Sequence, residues 1–112
     1  MRHSRLNAYQ IVWLFVFFDL PTDTKKKRKA YSDFRKKLQK DGFAMHQYSV
    51  YSRHCASRES AEVHTKRIHK NIPIEGHISI LSVTDKQYEK IINYWGKASK
   101  PLPPSPNQLE LF

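Results

Sequence analysis

Residues 11–18 read Ile-Val-Trp-Leu-Phe-Val-Phe-Phe, an unbroken β-branched and aromatic run. Apolar character at every position, rather than at alternate ones, predicts a central strand covered on both faces. Asp19-Leu20-Pro21 ends the run, because Pro21 fixes its own φ and pushes Leu20 away from helix. The period then changes. Over residues 24–41, Ala30, Tyr31, Phe34 and Leu38 share one helical stripe, and nearly every other position is charged. Thr22, Asp23 or Thr24 can cap the start of this helix, and Gly42 suits the position just past its end.

Residues 43–53 are again aromatic and β-branched, hence extended. Ser57 caps a second helix whose stripe of Ala61, His64, Thr65, Ile68 and Ile72 stops at Pro73. Residues 78–83 alternate well enough for another strand. Thr84-Asp85-Lys86-Gln87 has the form of a capping box and opens a short helix carrying Tyr88, Ile91 and Ile92. A strand, helix, strands, helix, strand order predicts a ferredoxin-like α+β sandwich over residues 10–96. A loose basic arm at residues 1–9 precedes it. A proline-rich, extended tail at residues 97–112 follows, ending in the apolar peptide Gln108-Leu109-Glu110-Leu111-Phe112. Two helices on one face of an antiparallel sheet leave the other face needing cover. A second copy of the chain is the simplest cover, so a homodimer with sheets packed face to face is the expectation.

Charge narrows the partner. Lysine and arginine total 20 against 10 acidic residues, a formal net charge of +10, which calls for a polyanion: nucleic acid or an anionic membrane surface. The longest apolar run is strand-length, far below the roughly 20 residues a membrane helix needs, so the reading is nucleic acid and no membrane. The single cysteine, Cys55, excludes an internal disulfide and fits a reducing cytoplasm.

The basic residues are concentrated on the first helix: Lys25, Lys26, Lys27, Arg28, Lys29, Arg35 and Lys36, then Lys37 and Lys40, with Asp33 the one acid inside. Lysines at a helix N-terminus oppose the macrodipole, so the run serves something other than helix stability. A solvated face is the usual account of mixed-sign helices; a run this one-sided points to phosphates, gripped without regard to sequence. Arg53, Arg58, Lys66, Arg67 and Lys70 can extend that surface. The aromatics fall mostly on strands, where packing explains them, and no exposed aromatic pair for single-strand stacking is recognisable. With one cysteine and scattered histidines, no ligand set has zinc-finger spacing. His54-Cys55 has no third orienting group for nucleophilic chemistry, so these are read as surface or packing residues.

Asp19 sits just after the buried strand, at a sheet rim where functional groups are commonly presented. Two readings are open. Asp19 caps the loop or pairs with a lysine of the next helix, or it holds a hard divalent cation such as Mg²⁺ through oxygen. One aspartate is a poor metal site alone; two copies meeting across a dimer axis make a credible one.

Phe15-Val16-Phe17-Phe18-Asp19-Leu20-Pro21-Thr22 resembles the first-strand signature of CRISPR-associated protein family Two, an apolar run ending in aromatic-Asp-x-Pro. Gly42-Phe43 followed by Gln47-Tyr48-Ser49-Val50-Tyr51 resembles its second signature, and Ile80-Leu81-Ser82-Val83-Thr84-Asp85-Lys86-Gln87 its closing strand and turn. Order and spacing hold through Gln108-Leu109-Glu110-Leu111-Phe112, most like members accompanying compact type II systems. The resemblance implies a ferredoxin-like homodimer with residues 43–53 broken into two short strands. It also implies a strand from about Ile92 to Trp95 that adds to the partner's sheet. Members have been assigned metal-dependent hydrolysis of RNA or double-stranded DNA, with Asp19 in the position of the catalytic metal ligand and one Mg²⁺ at the dimer interface. In spacer acquisition they bridge two dimers of the integrase subunit, family One, and hold a duplex between them. The residue before the aspartate is often tyrosine in the family; here it is Phe18.

The leading expectation is therefore a dimeric subunit of a spacer-acquisition complex that binds the duplex backbone and bridges integrase. The alternative is a metal-dependent endonuclease using Asp19 of both protomers. Gln108, Leu109, Leu111 and Phe112 are expected to dock on a partner: the integrase by family analogy, or a bacterial sliding clamp, whose ligand peptide they also resemble.

Overall fold

The apolar run becomes β1 (Val12–Asp19), hydrogen-bonded to a neighbour on each side. A computed structural model describes residues 10–97. The rest of the order is α1 (Lys25–Lys40), β2 (Ala44–Gln47), β3 (Val50–Cys55), α2 (Arg58–Lys70), β4 (His77–Thr84) and α3 (Asp85–Glu89). The sheet order is β2-β3-β1-β4 with every neighbouring pair antiparallel, the ferredoxin-like arrangement expected, and residues 43–53 do split into two strands. The basic arm at residues 1–9, the tail at 98–112 and the peptide of Gln108, Leu109, Leu111 and Phe112 lie outside the described residues.

Strand alternation divides β1 cleanly. Val12, Leu14, Val16 and Phe18 face the helices and form the core with Phe34 and Leu38 of α1, Ala61 and Ile68 of α2, and Tyr51 and Cys55 of β3. Each large side chain buried this way contributes about 1.5–3 kcal/mol. Trp13, Phe15 and Phe17 point to the other face. There Tyr88 of α3 stacks flat on Trp13, centroids 3.7 Å apart, and Phe15 is buried. Phe17 is not; it stays 39% exposed beside Leu81 at 49%. The continuous apolar run thus marks one packed face and one only partly covered.

The caps follow the sequence. Thr24 accepts the Lys27 amide at 3.1 Å, Ser57 accepts the Ser60 amide at 3.1 Å, and Thr84 and Gln87 form a complete capping box. Gly42 ends α1 at φ +89°, a conformation that favours glycine. Two expectations are corrected. Ile72 does not extend the α2 stripe: the helix stops at Lys70, Asn71 caps it, and Ile72 is 48% exposed in the following loop. The last helix is shorter than the Tyr88, Ile91, Ile92 stripe implied, leaving Ile92 73% exposed.

One polar cluster ties the second layer together. Asp41, the C-cap of α1, accepts hydrogen bonds from His64 Nδ1 and Arg67 Nη1 of α2, each at 2.7 Å. Its backbone carbonyl accepts from Arg53 Nε of β3 at 2.8 Å. Arg53 and Arg67 are therefore engaged within the fold rather than free for phosphate, and buried His64 is a structural residue that binds Asp41. Burial pushes the Asp41 carboxyl up, but the bonds from His64 and Arg67 and the attraction of those side chains outweigh it. The net effect holds the carboxyl below its ordinary 3.8.

Asp41→Asn should cost about 1.5–3 kcal/mol, the worth of hydrogen bonds to a charged group, read as a lower melting temperature. Because the folded pKa is depressed, the carboxylate's contribution is present above the unfolded value of 3.8 and is lost as pH falls through the lower folded value. Melting curves should show wild type and Asp41→Asn differing near neutrality and converging in strong acid. A constant difference across that window would show that Asp41 is not the titrating group.

Candidate functional site

Asp19 is the last residue of β1 and lies on the face opposite the helices, exposed. Its position follows from register: Asp19 pairs across the sheet with His77, the first residue of β4. Among the described residues its side chain has no ion pair and no hydrogen bond, so it neither caps the loop nor pairs with a lysine of α1. The carboxylate is therefore hydrated and open to a ligand from solvent. Phe18 projects from the opposite face, against the rings of Tyr31, Phe34 and Tyr51. A hydroxyl there would enter the core side, not the Asp19 side.

Two neighbours of Asp19 were not singled out in the sequence. His77 is placed by pairing, and its Nε2 lies 3.3 Å from Ser79 Oγ on the same face. Gly76 just before it adopts φ +108°, and a Cβ there would lie 2.8 Å from the Asp19 carbonyl oxygen and 2.5 Å from Leu20 Cδ2. Leu20 is buried, so the strand end is held between a core anchor and a glycine that must remain small. Its contact with residue 19 depends on which strands pair.

The basic helix begins at this same end of the sheet. Lys25, Lys29 and Lys36 share the outer stripe of α1, and Arg28 and Arg35 lie on the flank next to Tyr31. Lys26 and Lys27 border a groove of about 470 Å³ against the loop after α2, where Ile72 and Ile74 are exposed. Not every cation is free. Lys27 pairs with Asp23 at 3.3 Å and Glu75 at 3.5 Å, Lys29 pairs with Asp33 at 2.9 Å, and Arg28 donates to the Thr22 carbonyl at 3.1 Å. Lys25, Lys26 and Lys36 make no ion pair or hydrogen bond among the described residues, although Lys36 lies near enough to Asp33 to attract it. Exposed pairs of this kind are weak and are exchanged for phosphate at little cost.

The sequence showed no exposed aromatic pair, and here the structure differs. Tyr48 is 75% exposed in the β2–β3 turn and its ring stacks on Tyr31 of α1, with centroids 6.1 Å apart. Cys55 is buried and burial raises its thiol pKa, the reverse of what a nucleophile requires. His54 packs edge-on to Trp13. Among the described residues no three His, Cys, Asp or Glu side chains converge as a metal site, so one chain offers Asp19 as a single oxygen donor. That is enough for Mg²⁺ only with water, phosphate or a second carboxylate completing the shell. Among the described residues no helix is long and apolar enough to cross a membrane.

Residues 12–91 match the family model described as CRISPR associated protein Cas2. A CRISPR-associated endoribonuclease Cas2 from Flavobacterium psychrophilum is 52% identical over 110 residues, covering 98% of this chain and 96% of that protein. The protein of the same name from Parvibaculum lavamentivorans is 55% identical over 101 residues, covering 90% of this chain and all of its own. A solved structure, "Crystal structure of cas2", superposes with a TM-score of 0.55 at 14% identity, covering 83% of this chain and 98% of that one. At that identity it supports the fold alone.

Gly76→Ala tests whether the glycine sets the Asp19 rim. Steric conflict with a backbone oxygen and positive φ together should cost about 1–3 kcal/mol. Amide chemical shifts should change at residues 19–20 more than in α2. A variant as stable as wild type with an unmoved Asp19 amide would remove the glycine from the argument.

Proposed function

The chain belongs to the CRISPR-associated Cas2 family, and on that premise we propose that it is the dimeric nucleic-acid-binding subunit of a spacer-acquisition complex in the cytoplasm. The observation that carries this reading is the solvent side of α1, cationic except at Asp33 and starting at the sheet end where Lys70 of α2 lines the same groove as Lys26. Such a surface holds a duplex through phosphates and leaves sequence unread. Phe17, Val50 and Leu81 line a cleft of about 290 Å³ on the open sheet face, an apolar surface that a second copy of the chain would cover. In the complex, the homodimer bridges family One integrase subunits, with Gln108, Leu109, Leu111 and Phe112 as the integrase-docking peptide; a sliding clamp is the alternative partner for that peptide.

A second reading is favoured by the unpartnered state of Asp19 and by the endoribonuclease names of the relatives. In it, the protein is a metal-dependent endonuclease acting on RNA or double-stranded DNA. Asp19 of each protomer would be the residue that holds the ion, through a carboxylate oxygen. When bound, Mg²⁺ supplies charge stabilisation on the phosphate and an acidified water. The chain's own part is to hold the backbone with Lys25, Lys26, Lys36 and the flanking arginines while Asp19 fixes the position of the reacting phosphate. The two readings are compatible within one molecule.

Binding of a short duplex should weaken about a thousandfold or more between about 50 and about 200 mM salt. Replacing Lys25, Lys26 and Lys36 by alanine should reduce the salt slope by roughly one unit per phosphate contact removed. Asp19→Ala should leave binding intact. If Mg²⁺-dependent cleavage is seen and disappears in Asp19→Ala, the endonuclease reading stands; duplex binding with no cleavage in wild type leaves the scaffold alone. No duplex binding at low salt would overturn both.

A further inference from the structure

We infer that Tyr48 and Tyr31, flanked by Arg35, form a stacking platform for a base of single-stranded nucleic acid, next to the Asp19 end of the sheet. This rests on the nucleic-acid-binding reading and names a second mode of contact within it.

The platform is built by the fold. Tyr48 occupies the two-residue turn between β2 and β3, followed by Ser49 at φ +61°, in the left-handed region. The Ser49 carbonyl accepts the Phe18 amide at 3.0 Å, which places the turn beside the residue preceding Asp19. The Tyr31 hydroxyl lies 3.1 Å from Ser49 Oγ, fixing the α1 ring to the turn. The rings of Tyr31 and Tyr48 are 24° from parallel, with Tyr31 in turn packed against buried Phe18. One ring is therefore anchored to the core, and the other lies beside it in an offset stack, 75% exposed.

An exposed tyrosine at a turn tip has no packing role of its own; truncating it would remove nothing from the core. Held at a fixed angle, it presents a large apolar surface at low conformational cost, as base stacking requires. The cations are local. Arg35 follows Tyr31 by one helical turn, and Arg28 precedes it by nearly one, so both share its side of α1. Arg35 is close enough to act on the Tyr48 hydroxyl, pulling its pKa down against the larger upward influence of the Tyr31 hydroxyl. Arg35 is half-buried: its Nε is turned inward and sealed from solvent without a hydrogen-bond partner among the described residues, so only its terminal nitrogens can meet a ligand. An aromatic face with adjacent guanidinium groups is the combination that takes an unpaired base and its phosphate. A base inside a duplex keeps both faces within its own stack and cannot use it.

The test is fluorescence anisotropy with the full chain and EDTA, so that cleavage plays no part. The probes are labelled single-stranded oligoribonucleotide and oligodeoxyribonucleotide of one sequence, and the matching duplex. Tyr48→Ala should weaken single-strand binding about tenfold or more, leave duplex binding unchanged, and Tyr48→Trp should restore it. RNA and DNA strands should be affected alike, since the stacked face carries no 2′-hydroxyl. Undiminished single-strand binding in Tyr48→Ala, equal losses on strand and duplex, or no rescue by tryptophan would overturn the platform. Failure of wild type to bind any of the three probes would overturn the nucleic-acid reading beneath it.

Discussion

The antiparallel register of β1 against β3 and β4 is the constraint from which the rest of the molecule follows. Pairing Asp19 with His77 and Phe17 with Val50 brings three separate chain segments to one end of the sheet. The first is the loop leading into α1, the second the β2–β3 turn and the third Gly76. A slip of one residue would send every side chain of β1 to the opposite face, exposing Val16 and Phe18 and burying Asp19. The core cannot accept that exchange, because Phe18 sits among three aromatic rings and Val16 is fully buried. Packing energy on one face thereby fixes the location of a polar group on the other.

The same economy governs α1. Its first turn contains no acidic residue and is crowded with lysines, an arrangement that its macrodipole opposes. The helix is held instead by burial of Phe34 and Leu38, by the Thr24 cap and by the Asp41 cluster at its far end. Because stability comes from the inward stripe and the two termini, the outward positions are released to carry unbalanced positive charge. The acids nearest the stripe, Asp33 on the helix and Asp23 and Glu75 beside it, neutralise only Lys29 and Lys27.

Much of this was legible from residue order because it is local. A continuous apolar run, a change to helical period, capping residues and Gly42 state their structures within a few positions. What escaped was set by pairing across the chain. Gly76 and His77 gain meaning only once β4 lies against β1, and Ile72 only once α2 is seen to stop at Lys70. Arg53 and Arg67 read as free cations until three elements converge on Asp41. Tyr48 was hidden inside an aromatic, strand-like stretch; the turn that exposes it depends on Ser49 adopting positive φ, which serine's identity does not announce. The continuous run at residues 11–18 likewise implies cover on both faces, whereas Phe17 keeps its face partly open.

That open face links the two proposals about Asp19. Asp19, Phe17 and Phe15 share one side of β1, so any second copy that covers the apolar cluster also approaches the carboxylate. In the proposed homodimer two carboxylates would then be drawn toward one another as water is removed, and like charges in a poorly screened setting repel. The repulsion is relieved by a divalent cation between them, by protonation of one, or by an offset that keeps both wet. Only the first gains stability from the ion, and in it metal binding and association reinforce each other, as linkage demands of any ligand that binds the dimer better than the monomer. An offset dimer would gain nothing from Mg²⁺. Affinity between protomers, with and without the ion, is therefore the property on which a shared metal site and two separate aspartates differ, and it is independent of whether any phosphodiester is cut.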